Sequence, residues 1–129
     1  MLGGQDIVLE TKLTASEAMT RAIVAVLKVW PGGVVEDADT SELLRVSDLG
    51  RPDHAEVFVF KSYAARGSWM QNGWTEGNCR EMVHVLAQSN GHLTCVVEPG
   101  DDSEIRRILD GVRAAVDGQG ECPSEAKAS

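Results

Sequence analysis

The sequence predicts an α+β domain, a two-layer sandwich in which a mainly antiparallel sheet carries helices on one face. Three observations lead there. Two long segments, Thr14 to Trp30 and Asp101 to Val116, place apolar residues at helical spacing behind a capping signal. Shorter segments between and around them alternate apolar and polar residues, as half-buried strands do. Gly, Pro, Asn and Asp punctuate the joins at short intervals, leaving room for turns and little for long loops.

Taken in order, Ile7 to Leu13 alternates in part and reads as a first strand, with Leu9 and Leu13 set apart from Glu10 and Lys12. Thr14 and Glu17 form a capping box, and Met19, Ala22, Ile23, Val26, Leu27 and Trp30 then draw one apolar stripe along a helix. Pro31 ends it, and Gly32-Gly33 turn the chain into a short strand, Val34 to Ala38. Thr40 to Ala55 fits a brief helix or a strand, since Leu43, Leu44 and Val46 suit either, and Asp48 to His54 is turn material. Glu56 to Tyr63 reads as a strand with Phe58 and Phe60 on one face and Val57 and Val59 on the other. Two apolar faces describe a central strand covered on both sides, or one whose second face serves a ligand or a dimer.

The Asn72-Gly73 dipeptide predicts a hairpin tip, because both central positions of a type I′ turn need positive φ. In that register Trp69 and Trp74 lie on the same side as diagonal neighbours. Asn78 and Glu81 give a second cap signal, followed by Cys79, Met82, Val83 and Leu86 at helical spacing, with Asn90-Gly91 as the C-terminal stop. His92 to Glu98 alternates, placing Leu93, Cys95 and Val97 on one face, and Pro99-Gly100 ends that strand. The last helix carries Ile105, Ile108, Leu109, Val112 and Val116 as a stripe. Residues 1–116 then make a single domain and 117–129, rich in Gly, Ser, Glu and Pro, a disordered C-terminal tail. In element order this resembles the ferredoxin-like βαββαβ arrangement with an added C-terminal helix, a fold that hosts many functions and selects none.

The composition narrows the function. A formal net charge of −8 disfavours nucleic acid, whose affinity rests on Lys and Arg neutralising phosphates, and favours a basic protein as partner. The sequence shows no membrane-length apolar run and no leader-like N-terminus, which points to the cytoplasm. Cys79, Cys95 and Cys122 form no CxxC pair and read as reduced, the first two as buried thiols and the third as exposed in the tail. No phosphate-binding loop, dinucleotide fingerprint, HExxH, EF-hand or GxSxG motif occurs, so no cofactor or metal is expected. Glu81 and His84 have the i, i+3 spacing of half a di-iron site but lack a second half, and Asp53-His54 reads as a polar turn.

Two features rise above this background. Glu36, Asp37, Asp39, Glu42, Asp48, Asp53 and Glu56 face only Arg45 and Arg51, a local balance of −5. Tyr63, Trp69, Met70 and Trp74, with Arg66 among them, gather the residue types that dominate binding hot spots. Together they suggest a non-enzymatic protein-binding module in which Asp37 and Asp39 steer a basic partner and Tyr63, Trp69 and Trp74 anchor it. Acidic inhibitors, such as the immunity proteins that neutralise basic toxins, work on this physical scheme. The alternative is a small-molecule-binding protein or small enzyme, with a pocket lined by the Phe58/Phe60 strand and the Trp69/Trp74 hairpin, in a chain able to homodimerise.

Overall fold

The computed structural model describes residues 5–50, 55–72, 82–97 and 102–116. The elements are β1 (Gln5–Glu10), α1 (Ala15–Val29), β2 (Val34–Asp37), β3 (Leu43–Leu44), a 3-10 turn (Val46–Gly50), β4 (Glu56–Phe60), α2 (Tyr63–Asn72), β5 (Met82–Ala87), β6 (His92–Val97) and α3 (Asp102–Val116). The strands form one six-stranded sheet in the order β1-β6-β5-β4-β2-β3. Every pairing is antiparallel. The α+β class and the antiparallel sheet are therefore as expected, whereas the ferredoxin-like order is not what the strands adopt.

Period-two alternation assigns the two faces of the sheet. Leu9, Val35, Val57, Val59, Val83, Val85, Ala87, Leu93, Cys95 and Val97 point to one side and join the main core. The apolar stripes of α1 and α3 close that core, with Met19, Ala22, Ile23 and Val26 from one helix and Ile105, Ile108 and Val112 from the other. The capping box at the start of α1 forms as the sequence predicts, Thr14 and Glu17 each satisfying an amide of the other's segment. At the far end, the Gly33 N–H donates to the Trp30 carbonyl. A Cβ on Gly33 would stand 2.7 Å from Leu27 Cδ2 and 3.0 Å from that carbonyl, so any larger residue there would have to displace the Leu27 side chain and crowd the turn.

The undecided segment resolves into both alternatives at once. Leu43–Leu44 is a minimal strand beside β2, and Val46–Gly50 is a single 3-10 turn whose Leu49 is fully buried against α1.

Two expectations are corrected. Met82–Ala87 is a central strand between β4 and β6, not a helix. Met82, Val83 and Leu86 satisfy a helical period, but Val83, Val85 and Ala87 satisfy a period of two, and β-branched residues flanked by two hydrogen-bonding strands settle the contest. Asn90-Gly91 then ends no helix. Gly91, at φ +88, helps turn the β5–β6 hairpin, where its N–H donates to the Gln88 carbonyl and the Gln88 N–H to the His92 carbonyl. Conversely, the segment read as a Trp69 strand leading to a hairpin tip is helix through Asn72. Ser62 caps it, accepting the Ala65 N–H on Oγ and the Arg66 N–H on its carbonyl.

Helices consequently lie on both faces. Ala65 of α2 packs with Val34, Phe58, Phe60 and Met82 on the side opposite α1 and α3. Among the described residues no helix is long and apolar enough to cross a membrane. The expected tail, 117–129, lies outside the described residues, as do Cys79, Cys122, Asp53, His54 and the cap signal at Asn78 and Glu81.

Candidate functional site: the second face of the sheet

Strand register arranges the second face in rows. Val34, Phe60 and Met82 are direct neighbours across β2, β4 and β5, and this row is buried beneath Ala65. The next row runs Leu43, Glu36, Phe58, His84 and Val96. The third runs Glu56, Leu86, Thr94 and Val8, with Glu10 and His92 paired beyond it. These outer rows are far more open than the core side: Val8 is 60% exposed and Leu43 48%, while Phe58, Leu86 and Val96 are half-buried.

Two charge pairs organise this face. Glu36 is buried, and its Oε1 accepts from Arg66 Nε of α2 at 2.5 Å. Burying a carboxylate is costly without a cation and hydrogen bond, so this pair pins the first turn of α2 onto β2. Glu56 and His84 sit diagonally on β4 and β5, with Oε2 and Nε2 2.5 Å apart. The imidazole also stands against Phe58, ring centroids 5.1 Å apart and 42° tilted. A carboxylate holding an imidazole is an acid–base pair in form, and both side chains keep access to solvent. A weaker contact joins His92 Nε2 to Glu10 Oε2 at 3.8 Å.

The residues singled out from the sequence separate here. Asp37 is buried, and its Oδ1 accepts the N–H groups of Asp39 and Thr40, building the turn between β2 and β3. Asp39 and Glu42 are exposed on that turn. Tyr63 is 69% exposed at the start of α2, beyond the Phe60 end of β4. The acidic turn follows the Asp37 end of β2, which pairs with Val57, so Tyr63 and Asp39 belong to opposite ends of these strands. Trp69 falls within α2, while its side chain and all of Trp74 lie outside the described residues. Phe58 and Phe60 do share one face, with centroids 6.1 Å apart, but Phe60 is fully buried.

The acidic run is thus heterogeneous. Glu36 and Glu56 have cationic or imidazole partners, Asp48 Oδ2 accepts the Arg45 N–H, and Asp37 caps a turn. Sequence reasoning weighed these acids by proximity in the chain and missed the Glu36–Arg66 and Glu56–His84 pairings, the second of which alternation along β4 and β5 would have suggested once β5 was read as a strand. Cys95 lies on the opposite, helix-covered side, where burial pushes its thiol up to about 12. Among the described residues no group of three or more His, Cys, Asp or Glu side chains is gathered in a metal-binding arrangement. Comparison with known protein families, with curated proteins and with solved structures finds no match to this chain.

Proposed function

We propose that the chain is a non-enzymatic protein-binding module that engages a basic partner through the second face of its sheet, as an acidic inhibitor does. One observation carries this reading: the outer rows of that face combine exposed or half-buried aliphatic side chains, Val8, Leu43, Leu86 and Val96, with the exposed acid Glu10, and the turn at their edge exposes Asp39 and Glu42, in a chain of net charge −8. Apolar area supplies affinity on contact, and the acids raise the encounter rate with a basic surface. Tyr63 and the Asp39 turn flank the face at its two ends.

The test is affinity capture from the source organism's lysate, at low and high salt, with the intact chain, a Val8→Arg/Val96→Arg variant and an Asp39→Lys/Glu42→Lys variant, all checked for folding. A basic protein that is retained at low salt, weakened by high salt and by acid reversal, and lost with the apolar pair replaced is the expected result. Equal retention by all three chains removes the reading. A second copy of the chain as the occupant would instead show as a doubled solution mass that Val8→Arg/Val96→Arg halves.

A second reading, a small-molecule-binding protein or enzyme, draws on the Glu56–His84 pair beside Phe58. Thermal shift against a metabolite panel, repeated with Glu56→Gln, discriminates it: a compound that stabilises the intact chain but not the variant favours this alternative.

A further inference from the structure

The opposite surface of the molecule carries a groove of about 660 Å³ between α1 and α3. Its floor and walls are small or aliphatic, with Ala25, Val24 and Val29 from α1 and Gly111 and Ala114 from α3, and its rim holds Arg21, Lys28 and Arg107. The helices run antiparallel, since the Val116 carbonyl at the end of α3 accepts from Thr11 just before α1. They meet closely where a Cβ on Gly111 would stand 3.7 Å from Ala25 Cβ. Among the described residues, none of the three rim bases has an ion-pair partner. Of the acids on these helices whose side chains are described, Glu17 closes the capping box, Glu104 pairs with Lys61, and Asp110 does not line the groove. Among the described residues, then, three unpaired cations of an acidic protein stand around one apolar trough.

We infer that this groove binds an acidic amphipathic helix of a partner protein, laid between α1 and α3 with its apolar side down and its carboxylates against Arg21, Lys28 and Arg107. Charge complementarity selects the occupant, because a basic or neutral segment would leave the rim cations uncompensated. Helical form follows from spacing. Arg21 and Lys28 are seven residues apart on α1, two turns or about 10.5 Å along its axis, which matches carboxylates at i and i+7 of an aligned helix. The small residues at the floor let another backbone approach closely. This surface is independent of the second face of the sheet, on the other side of the molecule.

The experiment measures binding of a labelled three-heptad helical peptide, with Leu at the a and d positions and Glu at e and g, to the full chain by fluorescence anisotropy. A peptide with Lys in place of Glu is its counterpart. The acidic peptide is expected to bind at least about tenfold more tightly than the basic one, and to lose at least about tenfold in affinity in Arg21→Glu/Arg107→Glu. Ala114→Trp, an exposed position that fills the trough without entering the core, should abolish binding while leaving the melting temperature near that of the parent. Val8→Arg/Val96→Arg should bind the peptide normally, which separates failure here from failure of the sheet-face reading. Absence of acidic-peptide binding, equal binding of both peptides, or binding that survives Ala114→Trp overturns the inference. A solution mass that doubles with concentration and reverts in Ala114→Trp gives the groove to a second copy and overturns it as well.

Discussion

The two faces of the sheet are built from the same strands yet do different work. On the helix-covered face Val57, Val59, Val83, Val85, Leu93, Cys95 and Val97 are sealed by α1 and α3 into the main core. On the other, Val34, Phe60 and Met82 form a small core under α2, and the rows beyond it mix Val8, Leu43 and Leu86 with Glu56, His84 and Thr94. Stability belongs mainly to the first face, because apolar area removed from water is the principal favourable term in folding. The second face contributes less to that burial, and on the function proposed above it is the face that meets a partner. The difference teaches that in this chain apolar residues on strands are not equivalent, and register decides which of them hold the fold.

The largest test of that division pairs two leucines on neighbouring strands. Leu93 points into the main core and is fully buried, so Leu93→Ala should cost about 2–5 kcal/mol, as large-to-small changes in packed interiors do. Leu86 is half-buried on the second face, and Leu86→Ala should cost less than about 1 kcal/mol. Urea unfolding of both variants measures the contrast. Equal losses would mean that something in solution, such as a second copy, already covers the open rows.

Much of the covered face was legible in the sequence. The stripes of α1 and α3 and the alternation of Leu93, Cys95 and Val97 each agree with their local signals, and the Thr14–Glu17 box forms as expected. The second face was harder to read because its elements carry two signals apiece. The chain contains Asn-Gly twice, at 72–73 and 90–91, and the roles expected of them are exchanged: a helix runs through Asn72, while Gly91 shapes a hairpin. The dipeptide specifies only that positive φ is cheap there; whether a helix or a strand precedes it depends on tertiary pairing. Ser62 ahead of Tyr63-Ala64-Ala65-Arg66 was the local sign of α2, and reading it would have placed Arg66 within reach of Glu36. No local pattern announces the buried position of Asp37, whose carboxylate serves its own turn.

The next test acts on the contact that holds α2 against the second face. Glu36→Ala leaves Arg66 without its carboxylate, and Arg66→Ala leaves a buried anion. Removing one partner of a fully buried pair costs about 3–5 kcal/mol, but Arg66 keeps 20% of its side chain exposed, so about 2 kcal/mol is expected for either change. The double variant Glu36→Leu/Arg66→Leu should recover most of the loss, since a buried pair and a well-packed apolar pair are often equivalent. Denaturant midpoints for the three chains decide it. Singles that cost nothing would show that α2 is not anchored through this contact and that the corner of the second face is open too.

The last effect, absent at neutral pH, comes from a titration confined to the covered face. Cys95 holds its proton up to about 12 because burial disfavours the thiolate, whereas the thiol of the unfolded chain ionises near 9.0. Between those values the unfolded state binds fewer protons than the folded one, so this thiol makes stability fall as pH rises, by at most about 1.4 kcal/mol per pH unit. Below the lower value the thiol is neutral in both states and adds no pH dependence. The informative quantity is the difference in unfolding free energy between the chain and Cys95→Ala across this range. That difference should narrow as pH rises. A constant difference would mean that solvent reaches the Cys95 thiol through the helical layer, and the two faces would then differ less in access to water than in the residues they display.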